Sequence, residues 1–358
     1  MNPNQRLHEL GQSLWVDNIT RDMLDDGTLA RYIDEYSITG LTSNPTIFDK
    51  AIGGGHAYDE QIAELVDQGL EGEELFFELA TTDLRRAADL FEPVHERTDG
   101  VDGWVSLEVS PLLADGAEPT IEQASKLHSK ADCNVFIKIP GTEAGGTAIE
   151  ESIFAGIPIN VTLLFSREHY LAAADAYMRG VERRIEAGLD PAVPSVASVF
   201  ISRWDVAVAD EVGDDLRNTL GTAIGKRTYR AYRELLDSDR WQRLLNEGAR
   251  PQRLLFASTG TKDPDASDVL YVEGLAAPFT INTMPDKTLL SFADHGEVGE
   301  PIPADGGDAE ETLAAFADAG VDTDALAERL QEEGKDAFSA SWQDMLETIS
   351  GEREKVAS

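Results

Sequence analysis

A chain of 358 residues, 42% of them hydrophobic, can bury a substantial core, either as two small domains or as one α/β barrel with extra helices. Sixty-seven acidic against 30 basic residues leave a net charge of −37, a field that repels nucleic acid and anionic membranes. The single cysteine, Cys133, excludes an internal disulfide and any cysteine-rich metal site. The chain opens on "MNPNQRLHELGQ", which has no basic-then-apolar signal pattern and reads as a polar helix, so the cytoplasm is the expected compartment. Strand-like runs come next at "SLWVD" (13–17), "ITGLTSN" (38–44), "GWVSLEV" (103–109) and "NVFIKI" (134–139). Four more lie at "PINVTLLF" (158–165), "PSVASVFIS" (194–202), "RLLFAST" (253–259) and "PFTINTM" (278–284). No apolar run is long enough to span a bilayer.

Amphipathic stretches lie between these runs, at 58–70, 73–92, 143–155, 167–187, 225–247 and 264–276. Eight strands alternating with helices predict a (β/α)₈ TIM barrel, although rhythm alone also allows a doubly wound sheet. The Gly-, Pro- and acid-rich "GEVGEPIPADGGDAEE" (296–311) resembles a linker, but the chain beyond it is too short for an ordinary domain. Residues 1–358 are therefore read as one barrel domain with extra N- and C-terminal helices. Residues 308–358 are its C-terminal helical extension, comprising the barrel's last helix and one folded back on the barrel.

The acidic residues are spread along helices, as in "EGEELFFELATTDLRRAADLFE", which argues against a disordered tail. An acidic surface of this kind suits high salt, where screening removes its self-repulsion, and is compatible with a homodimer. Only nine of the basic residues are lysines. One of them, Lys138, sits inside an apolar strand, where a lysine is rare unless its charge is compensated. Alternation places Phe136, Lys138 and Pro140 on one face and Val135, Ile137 and Ile139 on the other, so that Lys138 points into the barrel mouth.

Other polar residues interrupt the strands where a barrel's active site is built, at the C-terminal ends. Asp17 closes the first run and Thr42 to Asn44 the second. Glu108 comes late in the third, Thr162 lies within the fifth, Ser198 in the sixth with Arg203 just beyond, and Ser258 and Asn282 in the seventh and eighth. Each has a plain alternative. Asp17 reads equally as a turn or cap residue, and Asn44-Pro45 as a turn. Thr162 is a good strand former, Ser198 a small core residue, and Arg203 the first turn of a helix. Lys138 and Glu108 have a plainer reading too, as a structural ion pair.

Together these residues support a specific chemistry. A lysine desolvated in a barrel has its charged form disfavoured, which frees its amine to attack a ketone and form a Schiff base. The imine draws electrons, so the neighbouring carbon–carbon bond can break once a base such as Asp17 takes the proton from the departing hydroxyl. Glu108 and Thr162, holding a water, can shuttle protons while the imine forms, and a rim arginine can grip a phosphate.

The blocks "SLWVDNITRDML", "GLTSNPTIFDKAI", "VSLEVSP", "NVFIKIPGTEAG", "INVTLLFS", "SVASVFISRWD", "ARPQRLLFASTGTKDP", "YVEGLAAPFTINTMP" and "FADHG" resemble transaldolases, in their longer bacterial-type branch. The resemblance runs from about residue 13 to 296. It implies a (β/α)₈ barrel of class I aldolase type, working in the non-oxidative pentose phosphate pathway. The implied reaction links sedoheptulose 7-phosphate and glyceraldehyde 3-phosphate to erythrose 4-phosphate and fructose 6-phosphate. It also implies Lys138 as the Schiff-base lysine, Asp17 as the acid/base, and Glu108 with Thr162 as the pair that positions water. Asn44, Asn160 and Ser198 then hold substrate hydroxyls, Thr42 supports them, and Arg203 binds phosphate. Shorter family members carry a further arginine in an "SFR" pattern on the seventh strand. This chain has Ser258-Thr259-Gly260-Thr261-Lys262 there, leaving Lys262 as a substitute point charge.

Nothing else in the chain competes. "GGG" (53–55) and "GTEAGG" (141–146) lack a dinucleotide-binding context, and six scattered histidines show no ligand spacing. Neither a metal nor an organic cofactor is expected, since the imine is its own electron sink. A class I aldolase releasing free dihydroxyacetone, and a non-catalytic sugar-phosphate-binding protein, are the alternative readings. The second would be expected to have lost Lys138 or Asp17.

Overall fold

The computed structural model describes residues 1–356. The first half of the chain runs α1 (Pro3–Glu9), β1 (Ser13–Asp17), α2 (Arg21–Asp25), α3 (Thr28–Tyr36), β2 (Ile38–Thr42), α4 (Pro45–Gly53), α5 (Asp59–Asp67), α6 (Gly72–Arg97) and β3 (Val105–Glu108). Next come α7 (Ala117–Ala131), β4 (Val135–Pro140), α8 (Glu143–Phe154), β5 (Ile159–Leu164), α9 (Arg167–Glu186), β6 (Ser195–Phe200) and α10 (Ser202–Val208). The remainder is α11 (Leu220–Leu236), α12 (Asp239–Asn246), β7 (Gln252–Ala257), α13 (Leu270–Gly274), β8 (Ile281–Met284), α14 (Asp286–His295), α15 (Ala309–Asp318) and α16 (Thr323–Val356).

The eight strands are parallel, in the order β2-β1-β8-β7-β6-β5-β4-β3, and a single bridge between Gly40 and Trp104 joins the two ends into a (β/α)₈ barrel. Gly40 is required at that seam. A Cβ there would lie 2.6 Å from the Trp15 ring and 2.8 Å from the Trp104 carbonyl. Strand alternation divides the core in two. Leu14, Val16, Val135, Ile137 and Ile139 face the helices, while Trp15, Trp104, Phe136, Val196, Leu255 and Ile281 fill the barrel interior. Phe136 stacks between Trp104 and Trp15, with ring centroids 4.4 and 6.1 Å away.

A polar cluster closes the barrel beneath these rings. Arg253 donates to Asp102 at 3.1 Å and to Ser13 Oγ at 2.6 Å. Ser13 and the Trp15 indole both donate to the same Asp102 carboxylate, at 2.5 and 3.3 Å.

The structure adds helices the sequence reading did not pick out, α3, α4 and the 15-residue α7 among them, and it redraws the helices after β6. The stretch expected as one helix over 225–247 is two, because Ser238 accepts from Trp241 N and caps a new start at Asp239. Of the expected helix 264–276, only Leu270–Gly274 is α-helical. The helix directly behind β8 is α14, which packs on α1 and β1, so the segment after residue 308 does not supply it. Instead α15 packs on α11, and α16 crosses α4, α5 and α6. Trp342 of α16 is buried between Phe76 and Phe77 and donates to Glu73 at 2.9 Å. Among the described residues, no helix is long and apolar enough to cross a membrane.

Candidate active site

Above the aromatic layer the inward positions turn polar, and Asp17, Thr42, Lys138, Thr162 and Ser198 line a cavity of about 280 Å³ at the C-terminal mouth. The register brings them level, since Asp17 pairs with Thr42, Glu108 with Lys138, and Lys138 with Asn160 on neighbouring strands. Lys138 is buried, and its Nζ donates to Glu108 Oε2 at 3.0 Å and to the Ser43 carbonyl at 2.9 Å. Both readings of this pair from sequence, nucleophile and ion pair, begin from this contact.

Both carboxyls are shifted by their surroundings. Burial pushes Glu108 above the ordinary carboxylate value, against the pull of the Lys138 charge and hydrogen bond. Burial likewise raises Asp17, opposed by its bond from Thr42 Oγ1 at 2.7 Å and by Lys138. Thr42 in turn shares a 2.7 Å hydrogen bond with Thr283 of β8. Glu108 Oε1 and Thr162 Oγ1 are buried, and among the described residues neither has a hydrogen-bond partner. Nine buried side-chain atoms of this kind occur among the described residues, and these two are the ones beside Lys138.

Asn160 and Ser198 face each other, Ser198 Oγ donating to Asn160 Oδ1 at 2.7 Å, while Asn160 Nδ2 donates to Ser106 Oγ at 3.3 Å. Asn44 caps α4, its Oδ1 accepting from Ile47 N at 3.1 Å, and it also lines the cavity. Thus the turn role and the site position coexist in one residue.

Arg203, on the first turn of α10, stands at the rim between the rings of Phe200 and Phe338, 5.4 and 5.9 Å from their centroids. Among the described residues no carboxylate pairs with it, and burial pulls its guanidinium below the ordinary value, with Glu333 opposing. Ser258 and Lys262 line the same cavity. Ser258 was expected within the seventh strand, but that strand ends at Ala257. Ser258 sits just past it at φ +56°, sharing a 2.9 Å hydrogen bond with Ser202. Leu163 is a second left-handed residue at the mouth, at φ +58°, where β5 slips register against β6 beside Thr162. Left-handed non-glycine residues store on the order of 1–3 kcal/mol each, and they gather at functional sites.

Sequence reasoning did not single out Thr283, Lys50, Phe200 or Phe338, all of which line the cavity. Thr283 was reachable by alternation from the inward Ile281. Phe338 was not, because it arrives on α16 from 200 residues beyond Lys138.

Fold and cavity together define a (β/α)₈-barrel enzyme with a lysine–carboxylate pair at the centre of its mouth. The family model described as "Transaldolase/Fructose-6-phosphate aldolase" matches residues 14–349. Transaldolase 2 of Streptomyces coelicolor is 42% identical over 363 residues, covering 99% of this chain and 98% of its own. The transaldolase of Mycobacterium tuberculosis is 44% identical over 358 residues (97% and 96%), and that of Frankia alni 44% over 359 (98% and 97%). The chain belongs to the transaldolase/fructose-6-phosphate aldolase family.

Proposed function

We propose that this enzyme moves a dihydroxyacetone unit from a ketose phosphate to an aldose phosphate through a Schiff base on Lys138. The family and the named relatives support transaldolase activity, a transferase reaction. The observation that carries the mechanism is the buried Lys138 Nζ, 3.0 Å from Glu108, in one cavity with Asp17 and Arg203.

Glu108 takes a proton from the lysine nitrogen, which attacks the ketone carbon to give a carbinolamine. Its raised carboxyl then returns that proton to the departing hydroxyl, and water leaves as the imine forms. Glu108 Oε1 and Thr162 Oγ1 are the groups free to hold this water. Asp17 removes the proton from the hydroxyl next to the scissile bond, the carbon–carbon bond breaks, and its electrons enter the imine as an enamine. The aldehyde product leaves, an aldose phosphate enters, and the steps run backward. Thr42 orients Asp17, while Asn44, Asn160 and Ser198 hold the hydroxyls of the three-carbon unit. Arg203 binds phosphate, with Ser258 and Lys262 beside it.

The sugar pairs are sedoheptulose 7-phosphate with glyceraldehyde 3-phosphate, and erythrose 4-phosphate with fructose 6-phosphate, as in the non-oxidative pentose phosphate pathway. We read the chain as one cytoplasmic unit, with a surface adapted to high salt by its charge of −37. Residues 308–358 are its C-terminal extension, helical at α15 and α16, with 357 and 358 outside the described residues. Fructose 6-phosphate and erythrose 4-phosphate, mixed with the enzyme at high salt, should yield sedoheptulose 7-phosphate in amounts matching the glyceraldehyde 3-phosphate released. Dihydroxyacetone release without any transfer to erythrose 4-phosphate would contradict this reading.

A further inference from the structure

The helix α16 presents one face to the barrel mouth through Gln331, Gly334, Lys335, Phe338 and Trp342, spaced as neighbours on a helix. Gln331 Nε2 donates to the carbonyls of Gly141 and Leu163, at 3.2 and 2.9 Å, which ties the helix to the ends of β4 and β5. Lys335 donates to Asp115 at 2.9 Å. Gly334 lets the helix come close. A Cβ there would be 3.0 Å from the Leu163 side chain and 3.4 Å from the Arg203 guanidinium. These contacts, with buried Trp342 one turn further on, hold Phe338 in place over the cavity. Its ring centroid lies 6.0 Å from Lys138 Nζ and 5.9 Å from the Arg203 guanidinium, and it packs edge-on against Phe200 at 6.3 Å.

We propose that Phe338 decides whether the three-carbon unit is transferred or lost: its ring keeps bulk water from the space the aldehyde leaves beside the Lys138 enamine and holds Arg203 in place. This rests on the Schiff-base mechanism and adds a positioning residue to it. Loss without an acceptor takes two steps. The carbanionic carbon of the enamine first takes the proton that Asp17 received from the departing aldehyde's hydroxyl, which regenerates an imine. Water then adds to the imine carbon, its proton passes to nitrogen, the carbon–nitrogen bond breaks, and dihydroxyacetone leaves the free lysine amine. Transfer also ends with water adding to an imine carbon, supplied at Glu108 and Thr162, so the first step decides the outcome. There a water must relay the Asp17 proton to the enamine carbon before an aldose arrives, and an aromatic wall at this distance from Nζ restricts its entry. A flexible polar side chain in its place would admit water and free the guanidinium.

The test is the ratio of free dihydroxyacetone to transferred units, measured on the full-length enzyme with fructose 6-phosphate and limiting erythrose 4-phosphate. Phe338→Ala should raise this ratio by ~10-fold and raise KM for fructose 6-phosphate more than it lowers kcat, whereas Phe338→Leu, which keeps apolar bulk, should raise the ratio by only ~3-fold. Ile349→Ala, buried on the same helix about three turns beyond Phe338 and away from the cavity, should lower the melting temperature without moving the ratio. An unchanged ratio in Phe338→Ala that melts like the parent overturns the proposal, as does an unchanged ratio in Phe338→Leu where the alanine variant does not fold. So does an Ile349→Ala variant that shifts the ratio as far as Phe338→Ala, since α16 would then act only by its general firmness. If the parent enzyme itself transfers nothing to erythrose 4-phosphate, the Schiff-base transferase reading falls and takes this inference with it.

Discussion

The two ends of the barrel both bury charge, but they treat it differently. At the N-terminal end Arg253, Asp102, Ser13 and Trp15 satisfy one another, with both Asp102 oxygens accepting and Arg253 further bonded to the Val101 and Thr280 carbonyls at 3.1 Å. At the C-terminal mouth Lys138 and Glu108 meet at 3.0 Å, yet Glu108 Oε1 and Thr162 Oγ1 are left without partners among the described residues, and Arg203 rests on aromatic rings instead of a carboxylate. The aromatic layer of Trp15, Trp104 and Phe136 separates the two. A closed polar network serves stability, and an open one in the same barrel is available to a ligand.

That contrast can be broken by substitution. Lys138→Ala should lower turnover by at least ~10⁴-fold while leaving a folded barrel, because Glu108, already raised by burial, can take up a proton once its lysine is gone. A variant with near-parental activity would show that the lysine is structural. Asp102→Ala should do the reverse. It leaves Arg253 buried without its carboxylate, so chemical denaturation should show a loss of roughly 3 kcal/mol, with kcat of the folded fraction within about twofold of the parent. A large fall in kcat at unchanged stability would erase the distinction between the ends.

The smallest effect is the most specific. Burial raises Asp17, so the folded protein holds this proton more tightly than the unfolded chain does. Stability is therefore lost as pH rises above the ordinary carboxylate range, and the penalty is absent below it. Asp17→Asn should thus raise the melting temperature at pH 7 by ~1 °C, about 1 kcal/mol, and give no gain near pH 4. The same variant should still form the imine but cleave the carbon–carbon bond very slowly. For the same reason, the acid limb of kcat/KM should fall at a pH above the ordinary carboxylate range, since Asp17 and Glu108 must both be ionised to act. A limb at or below that range would contradict the burial argument.

Much of the mouth was legible in the sequence because strand alternation is local. Once β4 is recognised, Phe136 and Lys138 must share a face, and the same rule turns Asp17, Glu108, Thr162 and Ser198 inward. The helices after β6 were harder. A break such as that at Ser238 depends on one side-chain cap inside an otherwise continuous amphipathic pattern, and α14 is a short helix directly behind β8. The left-handed turns at Leu163 and Ser258 leave no sequence signal, as neither position is glycine. Phe338 could not be found at all by local reasoning. Its place above Lys138 is made by the long return of α16, pinned by Gln331, Lys335 and Trp342 to three separate parts of the barrel.

The central claim is that Lys138 is the covalent nucleophile, and borohydride trapping tests it most directly. The protein is incubated with fructose 6-phosphate at high salt, reduced, and digested for peptide mass spectrometry. A reduced dihydroxyacetone-derived adduct on the peptide carrying Lys138 is the predicted result. Folded protein that carries no adduct, or carries it on another lysine, would contradict the account and leave Lys138 and Glu108 as a structural pair like the one at the opposite end of the barrel.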